Sequence, residues 1–235
     1  MNWLIVSQMR SGSTFLGEAL QAQGFPYYNE LFTPEICRRS NILPRDLDDN
    51  ISAFVLDQVW SQERAGFKMI YGQATPDVWA RLVLARFVKV IHLVRDDVLE
   101  QYSSVQYLER VGVSARVDGV CLGTDGKEAT PDLGFRMRVD PDHFRDWLER
   151  NRYWREFVWR SFRDGHDYQE IPFPEVFTEP AVKRVCFRLN PNHKHKRGAM
   201  PGHKETPRPR ARDMITNMEE LRREFRGTDW ERVLE

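Results

Sequence analysis

The stretch Met1-Asn-Trp-Leu-Ile-Val-Ser-Gln-Met-Arg10-Ser11-Gly12-Ser13-Thr14-Phe15-Leu16 decides the fold. Its apolar run, Trp3 to Val6, has the length and bulk of a buried strand. A polar turn, Arg10 to Thr14, ends the run, and Phe15 to Leu20 continues with helical spacing. A strand, a turn of small residues and a helix start aim backbone N–H groups and the positive end of a helix dipole at one point, which suits an anion. Arg10 adds a fixed positive charge. The stretch predicts a phosphate- or sulfate-bearing ligand at the end of the first strand, as in nucleotide enzymes.

The same alternation continues along the chain. Phe67-Lys-Met-Ile-Tyr71 reads as a short strand, and Pro76 to Phe87 has helical spacing through Val78, Leu82, Leu84 and Ala85. Val88-Lys-Val-Ile-His-Leu-Val94 is short and β-branched, hence a second buried strand, and Asp97 to Glu109 follows as a helix. Strand and helix in alternation imply a parallel sheet with right-handed crossovers. Gly112 to Asp132, rich in glycine and small polar residues, reads as a loop or flap. Asp140 caps and Pro141 opens a helix that runs toward Phe162. Asp167-Tyr168-Gln169 suits a short late strand, and Met214 to Phe225 one charged amphipathic helix. The expected architecture is a single α/β domain over 1–235, P-loop-like and three-layered, with a central parallel sheet flanked by helices. Its nucleotide-binding core covers about 1–110 plus 160–212, and a flap or acceptor loop about 112–138.

Composition narrows the partners. The chain has 235 residues with Lys+Arg and Asp+Glu both at 35, so its net charge is zero. That argues against a general nucleic-acid binder, which is usually strongly basic. No apolar run approaches the ~20 residues that span a bilayer; Phe87 to Val94 is interrupted by Lys89 and His92. No basic region precedes the first apolar stretch, as a signal peptide requires. Cys37, Cys121 and Cys186 are odd in number and widely spaced, with neither metal-ligand nor disulfide spacing, which fits incidental thiols in a reducing cytoplasm. The expectation is a cytoplasmic protein without a metal.

Two motifs carry the chemistry. The first turn lacks the first Gly and the Lys of a Walker A loop, G-x-x-x-x-G-K-[ST], and Arg10 brings the charge instead. Taken alone, it is also compatible with a plain helix start. The second motif is Val90-Ile-His-Leu-Val-Arg95-Asp96-Asp97 followed by Gln101-Tyr102-Ser103-Ser104. Arg95 falls at the C-terminal edge of a parallel strand, where open α/β sheets bind ligands. Ser103 follows about two helical turns later, so both can converge on a second phosphate. The plain structural reading of Arg95 is a surface pair with Asp97 or Glu100.

Together the motifs resemble the two nucleotide signatures of the sulfotransferases that use 3′-phosphoadenosine-5′-phosphosulfate (PAPS). The resemblance implies that Arg10, Ser11, Gly12, Ser13 and Thr14 bind the 5′-phosphosulfate, and Arg95 and Ser103 the 3′-phosphate. Ser7-Gln8-x-Arg10-Ser-Gly-Ser-Thr-x-Leu16, Asn29-Glu30-Leu31-Phe32 and Gly66-Phe67-Lys68-Met69-x-x-x-Gln73 are similar to the bacterial trehalose-type members. The likeness covers about the first 110 residues and thins to Asp167-Tyr168-Gln169-Glu170-Ile171 and Ile215-Thr-Asn217 with Glu219-Glu220-Leu221. It implies that Glu30 is the catalytic base, matching the Glu of the trehalose-type enzymes. The animal cytosolic enzymes carry a His two residues after a Lys matching Lys68; here Ile70 stands there. His193-Lys-His-Lys196-Arg197-Gly198 resembles the loop that closes over the 3′-phosphate, which adds Lys196, Arg197 and Gly198 to the cofactor residues.

Sulfuryl transfer between two oxygens, like phosphoryl transfer, places charge on bridging and equatorial oxygens. Fixed cations and backbone N–H groups stabilise that charge, and a base takes the acceptor's proton. Arg10, Lys68 and Glu30 are the catalytic candidates, and the scheme requires no metal. His92, inside a buried strand, reads as a core histidine. The expected partner is a small-molecule or carbohydrate acceptor, held between walls at Cys37–Ser61 and Gly112–Phe135. The shortness of the chain leaves room for a second subunit, a homodimer, to complete that site. Two rival readings stand beside this one. A divergent P-loop kinase or nucleotide hydrolase predicts Mg²⁺-dependent ATP binding. A non-catalytic anion-binding interaction module would dock an acidic partner on Asn192–Arg212, which carries seven Lys/Arg against one Glu.

Overall fold

Strand β1 (Trp3–Ser7) is buried along its whole length, and it lies at the centre of a five-stranded parallel sheet. A strand covered on both faces needs an apolar side chain on each, so its residues do not alternate with polar ones. In the computed structural model, which describes residues 2–32, 59–110, 113–117, 120–123, 132, 134–196, 198–201 and 210–235, the chain divides into two compact units. The first comprises Met1–Arg95 and Tyr153–Pro201, the second Asp96–Arg152 and Gly202–Glu235.

The first unit holds the sheet. Besides β1 it contains β2 (Tyr27–Glu30), β3 (Gly66–Ile70), β4 (Lys89–Val94) and a later strand, Asp167–Pro172, in the order β2-β3-β1-β4 and then the late strand. Helix α1 (Ser13–Ala22) follows β1, and α2 (Pro76–Leu84) joins β3 to β4. Trp3 and Ile5 face one side of the sheet and pack with Phe15, Leu16, Ala19 and Leu20 of α1. Leu4 and Val6 face the other and pack with Val78, Trp79 and Leu82 of α2, and with Val158 and Phe162. Helices therefore cover both faces, which makes this a three-layer α/β fold. Each fully buried Leu, Ile or Val in these layers contributes about 1.5–3 kcal/mol.

The second unit has its own core. Leu99 and Tyr102 of α3 (Val98–Arg110) pack with Phe144, Leu148, Ile215, Leu221 and Phe225. Phe144 and Leu148 belong to α4 (Pro141–Phe162), whose residues from Tyr153 onward lie in the first unit. Asp140 caps α4 as expected, its Oδ1 accepting from the N–H groups of Asp142 (2.9 Å) and His143 (3.2 Å).

Two expectations change. Within the stretch read as a loop, β5 (Val113–Val117) and β6 (Val120–Gly123) pair antiparallel. In the sequence the dipeptide Asp118-Gly119, a common hairpin signal, stands between them. The C-terminal helix is two short ones, Ala211–Met214 and Met218–Glu224. Asn217 divides them, exchanging hydrogen bonds with the backbone N–H and C=O of Val139 (2.9 Å each), so a tertiary contact overrides the helical period. Glu30 ends strand β2. The late strand Asp167–Pro172 is β7, and α5 (Glu179–Leu189) follows it.

Candidate functional site

The sheet changes direction of growth at β1. From β1 the chain goes to β2 and back to β3 on one side, then crosses to β4 and β7 on the other. The β1/β4 boundary is therefore the topological switch point, outside whose carboxyl ends open sheets bind ligands. The Arg10–Thr14 turn leaves β1 there, and Arg95 leaves β4.

The turn is shaped by two left-handed residues. Arg10 has φ 60°, uncommon for a side-chain-bearing residue. Its carbonyl accepts a hydrogen bond from Arg95 Nη1 at 3.0 Å. The Arg95 backbone N–H donates to Gln8 Oε1 at 3.2 Å, and Ser11 Oγ donates to the Gln8 carbonyl at 2.7 Å. The two sequence motifs, 85 residues apart, are thus in direct hydrogen-bond contact. Arg95 is buried, its guanidinium 4.1 Å from the ring centroid of Phe173. Gly12 has φ 84°, and a Cβ there would lie 2.7 Å from Val176 Cγ1, so backbone conformation and packing both demand glycine.

Gly12 is also the N-cap of α1, and a glycine has no side chain to offer the helix. No side chain caps the helix and its first turn contains no acidic residue. Intrahelical carbonyls cannot reach the first-turn N–H groups. These groups present a positive helix end at the sheet's carboxyl edge.

Lys68 enters from β3. Phe67 and Met69 face the α2 side, and alternation sends Lys68 toward α1. Its side chain is 4% exposed. Nζ donates to Thr14 Oγ1 at 2.6 Å and pairs with Glu30 Oε1 at 2.8 Å. A buried ammonium is costly unless paired, so Glu30 compensates it. Gln73 Nε2 donates to Glu30 Oε2 at 2.8 Å, and Gln73 Oε1 accepts from the Ile70 N–H at 2.7 Å. The parallel register explains the convergence, for Lys68 pairs with Ile5 of β1 and with Glu30 of β2. The result is one line of contacts, Thr14–Lys68–Glu30–Gln73, that joins the start of α1 to β3, the end of β2 and the turn after β3.

The remaining expected residues lie as follows. Ser11 and Ser13 are buried, while Arg10 and Thr14 are exposed. Ser103 belongs to the second unit, on α3, where its Oγ is buried and has no hydrogen-bond partner. Lys196 is held through its backbone by the Gln23 side chain, with hydrogen bonds of 2.8 and 3.0 Å. Gln23 is the C-cap of α1, so the Lys196 backbone sits at the end of that helix opposite Gly12, about 15 Å along its axis. Gly198 has φ 74°. Arg197 lies outside the described residues, as do residues 37–58 of one expected acceptor wall and half of the other. Gln8, Phe173 and Val176 support the turn without having been singled out for it. Ser7 ends β1 with a fully buried hydroxyl that has no hydrogen-bond partner. Only long-range packing joins Phe173 and Val176 to the turn.

No helix among the described residues is long and apolar enough to cross a membrane. No protein-family model matches the chain, and no curated protein matches it.

Proposed function

We propose that this chain is a sulfotransferase. It takes the sulfuryl group of PAPS and moves it to a hydroxyl of a carbohydrate or small-metabolite acceptor, leaving 3′-phosphoadenosine-5′-phosphate. The observation that carries the reading is the line Thr14–Lys68–Glu30, an uncapped helix N-terminus, a buried cation and a carboxylate within hydrogen-bond reach of one another. The donor fits the residues present: the first-turn N–H groups of α1 have no side-chain cap, the buried Lys68 ammonium lies beside Thr14, and the buried Ser7 hydroxyl one residue before Gln8 lacks a partner.

When bound, the donor supplies a sulfuryl group already activated by its bond to phosphate. Arg10 and the N–H groups of Gly12 to Thr14 bind its 5′ end. Arg95 binds the 3′-phosphate. Glu30 accepts the proton of the acceptor hydroxyl as the new S–O bond forms and the S–O bond to phosphate breaks. Lys68, beside both Thr14 and Glu30, balances the charge that passes to the leaving oxygen. Gln73 holds the second oxygen of Glu30 and Lys68 the first, so the carboxylate is fixed in orientation.

Calorimetric titration with 3′-phosphoadenosine-5′-phosphate tests the nucleotide site, and transfer of labelled sulfate to sugars, phenols and lipids tests the reaction. Several charge-assisted contacts should give about micromolar affinity. Glu30→Gln should keep that affinity and lower turnover about 10²- to 10⁴-fold. Absence of binding at ~100 μM, far above that expectation, would overturn the proposal. So would Mg²⁺-dependent binding of ATP in its place.

A further inference from the structure

Tyr71 follows β3 directly, its N–H donating to the Ser7 carbonyl at 2.9 Å. Its hydroxyl meets Nε2 of His92, a residue of β4 that is fully buried. His92 Nδ1 lies 2.6 Å from the Tyr168 hydroxyl. Tyr168 in turn donates to Glu170 Oε2 at 3.2 Å, and Arg155 pairs with Glu170 Oε1 at 3.2 Å. Tyr71, His92, Tyr168, Glu170 and Arg155 all belong to the first unit.

The hydrogen-bond inventory admits one direction. Glu170 as a carboxylate only accepts, so the Tyr168 proton points at it. The Tyr168 oxygen is then free to accept, and His92 Nδ1 must carry a proton to donate. Glu170 Oε2, 3.7 Å from Nδ1, favours the same placement. Nε2 is left as an acceptor, and Tyr71 donates to it. The reverse direction would set two acceptors, the Tyr168 oxygen and the Glu170 carboxylate, against each other. Burial, with Arg155 acting in the same sense, holds the imidazole neutral by lowering its pKa to about 3.

Two residues beyond Tyr71 stands Gln73, whose side chain is fixed at one end by the Ile70 N–H and at the other holds Glu30. Between them Gly72 turns the chain with φ 76°. We propose that His92, as its Nδ1–H tautomer, is a positioning residue: it fixes the Tyr71 hydroxyl, hence the Tyr71-Gly72-Gln73 turn, hence the Glu30 carboxylate. The step from Glu30 orientation to turnover rests on Glu30 being the base; the hydrogen-bond relay itself does not.

Long-range ¹H–¹⁵N correlation spectra of the histidine rings, with the Gln73 side-chain amide followed in the same samples, test the relay directly. The wild type should show His92 with a protonated Nδ1 and a bare Nε2. Tyr71→Phe keeps the ring beside Trp154 and removes only the hydroxyl. It should shift the Gln73 amide, remove its protection from exchange, and lower kcat by about tenfold, the worth of one hydrogen bond. Affinity for 3′-phosphoadenosine-5′-phosphate should stay within about twofold, because no contact to the nucleotide is lost. Tyr168→Phe, a second variant should the first not fold, should move the His92 proton to Nε2 and disturb Gln73 in the same way. A wild-type His92 protonated at Nε2, or a Gln73 amide unchanged in both variants, overturns the proposal. Failure of the nucleotide to bind at all would instead strike the sulfotransferase reading, and the spectra would still decide the relay.

Discussion

Acidification should destabilise this protein through His92. Burial is the main cause that lowers its pKa from 6.5 to about 3, and Arg155 adds to it. In the unfolded chain the imidazole titrates near its ordinary value. Between those two values the unfolded state binds a proton that the native state refuses. Stability is therefore full above about pH 6.5 and falls as the pH drops toward 3. Each pH unit inside the window costs about 1.4 kcal/mol, so the passage from pH 7 to pH 5 costs about 2 kcal/mol from this group alone. Urea unfolding at both pH values, followed by the fluorescence of the seven tryptophans, measures the total. Carboxylates also titrate over this range, and comparison with His92→Gln cancels them. The variant should lose about 2 kcal/mol less than the wild type between pH 7 and pH 5. The His92 ring resonance of the wild type should not titrate over the same range. Equal losses in the two proteins, or a His92 resonance that titrates near pH 6.5, would refute the reasoning.

Other changes test the site's construction. Gly12→Ala meets both a left-handed φ and Val176 Cγ1 at 2.7 Å, and should lower stability by about 1–3 kcal/mol in a denaturant titration. An unchanged midpoint would show that the turn adapts freely. Lys68→Met strands the Glu30 carboxylate and should cost about 3 kcal/mol or more, most of it recovered when Glu30→Gln is added; additive losses would deny the pairing. Arg95→Ala removes the bond to the Arg10 carbonyl and should weaken 3′-phosphoadenosine-5′-phosphate binding by about tenfold or more. The loss should be smaller for the analogue without a 3′-phosphate, and equal losses for both would reduce Arg95 to a prop for the turn.

The elements that were legible in the sequence are those whose cause is local. β1, β4 and α2 announce themselves by short apolar runs or helical spacing, and Asp140 by its position before Pro141. Where a distant partner decides, the reading departs from the structure. Asn217 breaks a helix because Val139 offers its backbone to the side chain. Glu30 joins a strand because β3 lies beside it. Arg10, Lys68 and Glu30 could each be nominated by type and motif. Their contacts could not be, since they follow from strand register across β1, β2 and β3. Lys196 shows the converse. Its neighbours in the sequence resemble a loop closing over phosphate, yet the Gln23 side chain ties its backbone to the far end of α1.

Sequence alone therefore determined that β1 would be a buried strand and that a glycine-bearing helix start would follow it. Both are properties of about fifteen consecutive residues, set by hydrophobic run length and by the freedom of glycine. Only the tertiary structure decided that Lys68 would stand between Thr14 and Glu30, that Arg95 would hold the Arg10 carbonyl, and that His92 would be clasped by two tyrosines. Those contacts depend on the order and register of five strands. The packing of the three central strands between helices fixes that register, and no local stretch encodes it.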